Sequence, residues 1–309
     1  MSQGVLRFCA TTVFLHDQTM EQTLDLLAGL GFDAVEWRCR NNPPHAEGKP
    51  TGNWGRHLFD CNPAWLAEHG AELGRATRAA GLELGCLAAN AAPGDLATME
   101  LLARGAAAAG AAGVRVGFSV AAESLWREGY GALQARAADE LGGVVKIFSR
   151  YGVRAIIETH PNTLHVSASM ALRLAERFRP EEVGICWDWQ NAPQEGFEPV
   201  DLGVCMLGRY LQHVHMAGRR WAVAGPGAGF GTRWECQRCS MGEGQFDLVA
   251  GMQALLRAGY GGLISLEDFG SAGDALSPAE RAARGIGELR AAYAAAQAAL
   301  TEGVGKPLG

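Results

Sequence analysis

Eight short apolar runs punctuate the chain, each followed by a longer segment of helical period, and this alternation constrains the fold more than any other feature. The runs are VLRFCAT (5–11), FDAVEWR (32–38), LELGCLAA (82–89), GVRVGFS (113–119), VRAIIETH (153–160), VGICWDW (183–189), LQHVHMA (211–217) and GLISLEDF (262–269). Amphipathic or Ala/Leu-rich segments lie at 18–30, 62–80, 95–111, 130–151, 166–178, 200–209, 246–258 and 278–300. Near-continuous apolar strands alternating with helices belong in a parallel sheet covered by those helices. Eight strand–helix pairs is the number that closes a TIM barrel. The rival is an open doubly wound sheet, but GPGAGFG (225–231) fails the GxGxxG spacing and no GxxxxGKS/T is present. The expected fold class is α/β, a (β/α)8 TIM barrel forming one domain over residues 1–309.

Bulk properties narrow the partners. A formal net charge of -6 argues against a nucleic-acid backbone as partner. No apolar run approaches the roughly 18 residues of a spanning helix, and the opening MSQGVLRFCATTVFLHD has no basic region before an apolar stretch. Eight cysteines are scattered, with Cys9, Cys86 and Cys186 inside apolar runs, as suits reduced buried thiols. The expectation is a cytoplasmic protein without a membrane or nucleic-acid partner, with homo-oligomerisation left open. CQRC (236–239) is a single CxxC without a second ligand pair, and reads as incidental loop thiols.

The chemistry concentrates where the late strands end. Glu158 and His160 finish the fifth run, Asp188 the sixth, His213 and His215 the seventh, and Glu267 the eighth. Strand side chains alternate faces, so Glu158 shares a face with His160, and His213 with His215. In a closed barrel that face is the interior. Carboxylates converging there without a counter-charge would cost several kcal/mol each. A cation resolves this, and two Glu, one Asp and a His make an oxygen-rich set suited to one divalent ion: Mn²⁺, Mg²⁺, Co²⁺ or Zn²⁺. Glu36 and Arg38 share a face of the second run, where they either reach substrate or form an internal ion pair.

Two connections leaving strand C-terminal ends are unusually long, 39–61 and 217–243, and both mix Trp, Arg and Gly. Loops of that length on a barrel's site face read as mobile covers over a polar pocket. Trp54, Trp189 and Trp221 are candidate apolar walls, whereas Trp187 should face outward, opposite Asp188. Arg219, Arg220 and Arg233 are candidate partners for an anionic substrate group, or else solvated loop residues.

The stretches GFDAVEW, IIETHPNTL, GICWDWQN, HVHMAG and GEGQFDLVAGMQALLRAGYGGLISLEDFG resemble the sugar phosphate isomerase/epimerase superfamily, the xylose isomerase-like barrels related to endonuclease IV. The resemblance runs from about residue 5 to 295. It implies metal ligands at Glu158, Asp188, His215 and Glu267, with Glu158 and Glu267 also acting as acid and base, and His160 as a further proton-transfer group. Glu36, Arg38, His213, Arg219 and Trp54 are then the substrate-facing candidates. Two positions depart from the similar ketose 3-epimerases: Asn191 stands where they carry a histidine, and Trp221 where they carry an arginine. Endonuclease IV itself needs a three-metal cluster with further histidines that Asn191 and AVAGPGAGFG (222–231) do not supply.

The function this implies is a divalent-metal-dependent sugar isomerase or epimerase, moving a proton beside a chelated carbonyl through an enediolate. The alternative is a metal-dependent lyase or dehydratase acting on an oxidised sugar, inosose or C-glycoside. A second alternative is a non-catalytic sugar-binding barrel.

Overall fold

After every crossover the chain returns to the same sheet, and the sheet closes on itself. The computed structural model describes residues 5–303 apart from Phe197 and Ala272. The first four and last six residues of the expected domain therefore lie outside the described residues. The strands are β1 (Arg7–Thr11), β2 (Ala34–Cys39), β3 (Glu83–Ala89), β4 (Gly113–Val116), β5 (Arg154–Glu158), β6 (Val183–Asp188), β7 (Leu211–Met216), β8 (Gly218–Pro226), β9 (Thr232–Cys239) and β10 (Leu263–Leu266). Eight of them form a closed barrel in the order β1-β10-β7-β6-β5-β4-β3-β2, all neighbours parallel. All eight expected strands are present. The fourth and eighth stop early, at Val116 and Leu266, because the residues after them leave the ladder for the site-face loops.

The surrounding helices are α1 (Met20–Leu30), α2 (Pro63–Ala79), α3 (Leu96–Ala109), α4 (Ala122–Glu128), α5 (Tyr130–Ser149), α6 (Ala168–Ala175), α7 (Ala192–Glu195), α8 (Val200–Leu207), α9 (Leu248–Ala258) and α10 (Pro278–Gly303). Local chemistry sets several boundaries. Thr19 and Gln22 form a reciprocal capping box at α1, while Asn62, Asp95 and Asp247 accept from N3 amides of α2, α3 and α9. Neither α4 nor α7 was expected. The first has no side-chain cap and no buried residue, so its sequence carries no apolar stripe; the second is a single turn.

Packing between sheet and helices follows the strand period. Trp187 points outward from β6, as expected, and is fully buried against α8. A Cβ on Gly203 would lie 2.1 Å from its ring, so α8 can approach only with glycine there. Between α2 and α3 the backbones themselves meet: a Cβ on Gly70 would sit 2.4 Å from Gly105 O, and one on Gly74 would sit 2.1 Å from Ala109 O.

The connection after β7, expected as a long loop covering the pocket, is an antiparallel ribbon of β8 and β9. Its sequence alternates after all. Arg219, Trp221 and Val223 fall on one face opposite Arg238, Cys236 and Trp234, and the Gly-rich segment 227–231 makes the turn. Among the described residues the ribbon's strands pair only with each other. The other long connection, after β2, holds a 3-10 turn at Pro44–Ala46 and a bridge between Thr51 and Arg56. Among the described residues no helix is long and apolar enough to cross a membrane.

Candidate active site

The C-terminal ends of β4, β5, β6, β7 and β10 converge on one cluster. Glu158, Asp188, His215 and Glu267 are all buried, and each offers a ligand atom within 4.8 Å of the others'. Glu158 ends β5, Asp188 ends β6, His215 lies in β7, and Glu267 follows β10. Parallel register sets them side by side, with Asp188 opposite His215.

Glu36 fixes the histidine from below. One oxygen, Glu36 Oε2, accepts from Ser265 Oγ at 2.9 Å, His213 Nε2 at 3.1 Å and His215 Nε2 at 2.9 Å. A carboxylate only accepts, so both imidazoles present Nε2–H. Burial opposes the charge on Glu36, but the two histidines outweigh it and hold its pKa well below the usual carboxylate range. With Nε2–H committed, Nδ1 of His215 faces Glu158 Oε1 at 3.0 Å and Glu267 Oε2 at 3.5 Å. A lone pair aimed at two carboxylate oxygens is tolerated only if a proton or a cation stands between them.

The rest of the cluster's electrostatics makes the same demand. Burial, with Glu158 and Glu267 beside it, pushes Asp188 well above its ordinary value. Burial would also raise Glu158, yet Arg115 at 2.5 Å and His215 hold it low. Burial works against charge on His215, and Cys186 and the surrounding carboxylates overcome it, raising its pKa well above normal. Oxygen-rich ligands around one correctly oriented imidazole fit a divalent cation, with Glu36 as the outer carboxylate that orients the histidine.

Two neighbours steady the acids. Asn191 donates its side-chain amide to Asp188, and Gln190 donates its side-chain amide to Glu267 Oε2 at 2.8 Å. Asn191 thus holds a buried carboxylate with a neutral amide. Above the cluster opens a cleft of about 530 Å³, within the range of small-molecule sites. Trp54 and Phe269 form one corner of it, with ring centroids 4.7 Å apart.

The expected residues distribute as follows. Glu158, Glu267, His160, Arg219 and Trp54 line the cleft. Glu36 and His213 lie beneath the cluster, joined to each other rather than to the open space. Arg38 is buried and engaged with its own loop, through Arg40 O and Asn42 Oδ1 at 3.4 Å and Asp60 at 3.9 Å. Trp189 is fully buried and stacked on Phe246, so it makes no wall, and Trp221 donates its indole N–H to Pro193 O. The basic residues of the cleft that had not been singled out are Arg40, Arg115, Arg238 and His165. His165 is a strut, donating Nδ1–H to Glu158 O at 2.6 Å and accepting Phe118 N–H at 3.1 Å.

A family model described as xylose isomerase-like TIM barrel matches residues 24–292. The chain belongs to that family. Among solved structures, an L-ribulose 3-epimerase superimposes with TM-score 0.67 at 17% identity, covering 98% of this chain and 100% of that one. The probable 3-DHS dehydratase AsbF of Bacillus anthracis gives 0.65 at 16% identity, covering 92% and 99%. The IOLI protein, solved with a binding zinc atom, gives 0.65 at 16%, covering 94% and 98%. No curated protein matches the sequence. Within the xylose isomerase-like barrels these likenesses fix the architecture; epimerase and dehydratase are what those proteins are, not what this chain is thereby shown to be.

Proposed function

We propose that the protein is a divalent-metal-dependent sugar isomerase or epimerase that relocates a proton on the carbon beside a carbonyl. The observation that carries this reading is His215 Nδ1, oriented by Glu36 and aimed between Glu158 and Glu267, with Asp188 alongside. Glu158, Asp188, His215 and Glu267 would hold the ion, which supplies Lewis-acid polarisation of the carbonyl and so acidifies the neighbouring C–H.

The side chains around the cluster divide the remaining work unequally. Glu158 is engaged by the Arg115 guanidinium at 2.5 Å, and a carboxylate so paired is a poor proton acceptor. Glu267 lies 4.0 Å from Arg115, and its hydrogen bond among the described residues comes from a neutral amide, that of Gln190. Glu267 is therefore the base that removes the α-proton. His160 lines the cleft with Nδ1–H donated to Pro161 O at 2.7 Å, leaving Nε2 as its exchangeable position for returning a proton. Trp54 and Phe269 give the apolar face of a sugar ring something to pack against and keep water from the enediolate.

His160 also favours a second reading, a lyase or dehydratase. A proton donor beyond the two glutamates is what a departing hydroxyl requires, and both outcomes begin with the same abstraction. Incubating the Mn²⁺-loaded protein with a panel of keto-sugars in deuterated water, followed by NMR, separates them. Deuterium at the α-carbon without loss of a group supports isomerisation, and an unsaturated product supports elimination. E267Q should slow either by about 100-fold or more. Absence of both exchange and product across the panel would overturn the enzymatic reading.

A further inference from the structure

The cleft carries more positive charge than its acids can use. A divalent ion with three carboxylates and a neutral imidazole leaves one negative charge, which Arg115 offsets through its contact with Glu158. Three more guanidinium groups line the same cleft, those of Arg40, Arg219 and Arg238. None of the three pairs with a carboxylate among the described residues. Arg40 donates Nε–H to Ala88 O at 3.3 Å, Arg219 has Cys236 as its side-chain partner, and Arg238 lies over the Phe269 ring at 5.3 Å.

Their placement is costly as it stands. Arg219 and Arg238 are direct cross-strand partners in the β8–β9 ribbon, so two like charges share one face at adjacent positions. The Nε of Arg219 is buried without a hydrogen-bond partner. Arg40 is held at the end of β2, where burial and the neighbouring Arg115 push its pKa down to about 9. An anionic oxygen group placed among these residues would satisfy the idle donors and remove the repulsion together.

We infer that Arg40, Arg219 and Arg238 form a subsite for an anionic group, a carboxylate or a phosphate, carried by the substrate at the end away from the metal cluster. This rests on the metal-dependent reading above and narrows its substrate class from sugars in general to sugar acids or sugar phosphates. The subsite is split between barrel and ribbon: Arg40 is fixed to the β2 end, while Arg219 and Arg238 ride on the hairpin. An anion held there would bridge barrel and ribbon, with Arg40 on one side of it and Arg219 and Arg238 on the other.

Calorimetric titration of the Mn²⁺-loaded protein with three probes tests this. D-fructose, D-fructuronate and D-fructose 6-phosphate share the keto-hydroxyl end and differ at the far carbon, as hydroxyl, carboxylate and phosphate. One or both charged probes should bind about ten-fold tighter than D-fructose or better, the more favoured one identifying the anion, and the advantage should shrink as sodium chloride is raised. R238A, on the exposed ribbon where the barrel's stability is not at stake, should remove most of that advantage. R238K should retain more of it. Mn²⁺ affinity, titrated separately, should be unchanged in R238A. Equal binding of charged and neutral probes, failure of the charged probes to bind, or an advantage that survives R238A combined with R219A would overturn the subsite. Because the readout is binding, it stands or falls apart from proton exchange: a charge preference without exchange refutes the isomerase, and exchange without a charge preference refutes the subsite.

Discussion

Glu36 Oε2 holds the Nε2–H of His215 at 2.9 Å, while Nδ1 of the same ring faces the opposite way, toward Glu158 and Glu267. The imidazole is thereby locked in the tautomer and rotation a metal ligand needs before any ion arrives. Removing such an outer carboxylate typically costs 10–100-fold in metal affinity. E36Q should weaken Mn²⁺ binding by roughly that factor while circular dichroism shows the barrel intact. An affinity within about two-fold of the wild type would show that His215 needs no such orientation.

Arg115 answers Glu158 across the β4–β5 boundary, both buried. Taking away one partner leaves an uncompensated charge, at a cost of about 3–5 kcal/mol. R115M should lower the urea-unfolding free energy of the chelator-treated protein by that amount. Added Mn²⁺ should recover part of the loss, because the ion supplies Glu158 with another positive neighbour. Equal losses with and without Mn²⁺ would separate the ion pair from the metal cluster.

Buried histidines outside the metal set define an acid limit. Burial lowers His165 from 6.5 to about 4, and burial with the Arg38 charge lowers His57 to about 3. Their folded pKa values lie below the unfolded one, so the unfolded chain takes up protons first as the medium is acidified. The stability is complete above pH 6.5 and declines as pH falls toward 4, by roughly 3 kcal/mol for His165. Unfolding free energies measured at intervals from pH 7 to 4 should show this slope, and H165Q, whose amide can still donate and accept, should flatten it. An unchanged slope in H165Q would place the proton uptake elsewhere.

The ribbon can be separated from the barrel. β8 and β9 hydrogen-bond to each other and not to the eight-stranded sheet. Replacing residues 222–233 with a two-residue turn should leave the melting temperature within about 2 °C and Mn²⁺ affinity nearly unchanged. It should depress kcat/KM several-fold and alter the order of preferred substrates, because the ribbon that carries Arg219 and Arg238 into the cleft is shortened. Unaltered kinetics on the best substrate would make the ribbon irrelevant to the reaction.

How far the sequence could be read depended on whether a residue's surroundings are local. The barrel was legible because each strand carries its own apolar run and each helix its own stripe. The meeting of Glu158, Asp188, His215 and Glu267 was legible because carboxylates and an imidazole closing apolar strands are conspicuous along the chain. The ribbon was missed because its alternation, Arg219-Trp221-Val223, mixes charge with bulk and so does not register as apolar against polar. Arg115 was missed inside GVRV, although a strand buried on both faces offers an arginine no solvent, and that alone would have turned it inward. Arg38 in β2 and Arg40 just past its end have the same parity, and only the path of the following loop, which occupies Arg38 with Asn42 and Asp60, decides which of them reaches the cleft.

The seam between α2 and α3 has a bearing on which parts of this protein are free to change. There Gly70 and Gly74 lie against Gly105 and Ala109 so closely that even a methyl group has no room. That arc of the shell admits almost no heritable variation, and its tolerance of substitution is set by backbone rather than by side chains that can rearrange. The ribbon over the cleft is under no such restriction: most of its side chains end in water, and neither strand is stitched to the barrel. A lineage built on this chain can therefore rewrite what the cleft accepts through the ribbon while the clamped arc keeps the barrel closed around an unaltered cluster of acids.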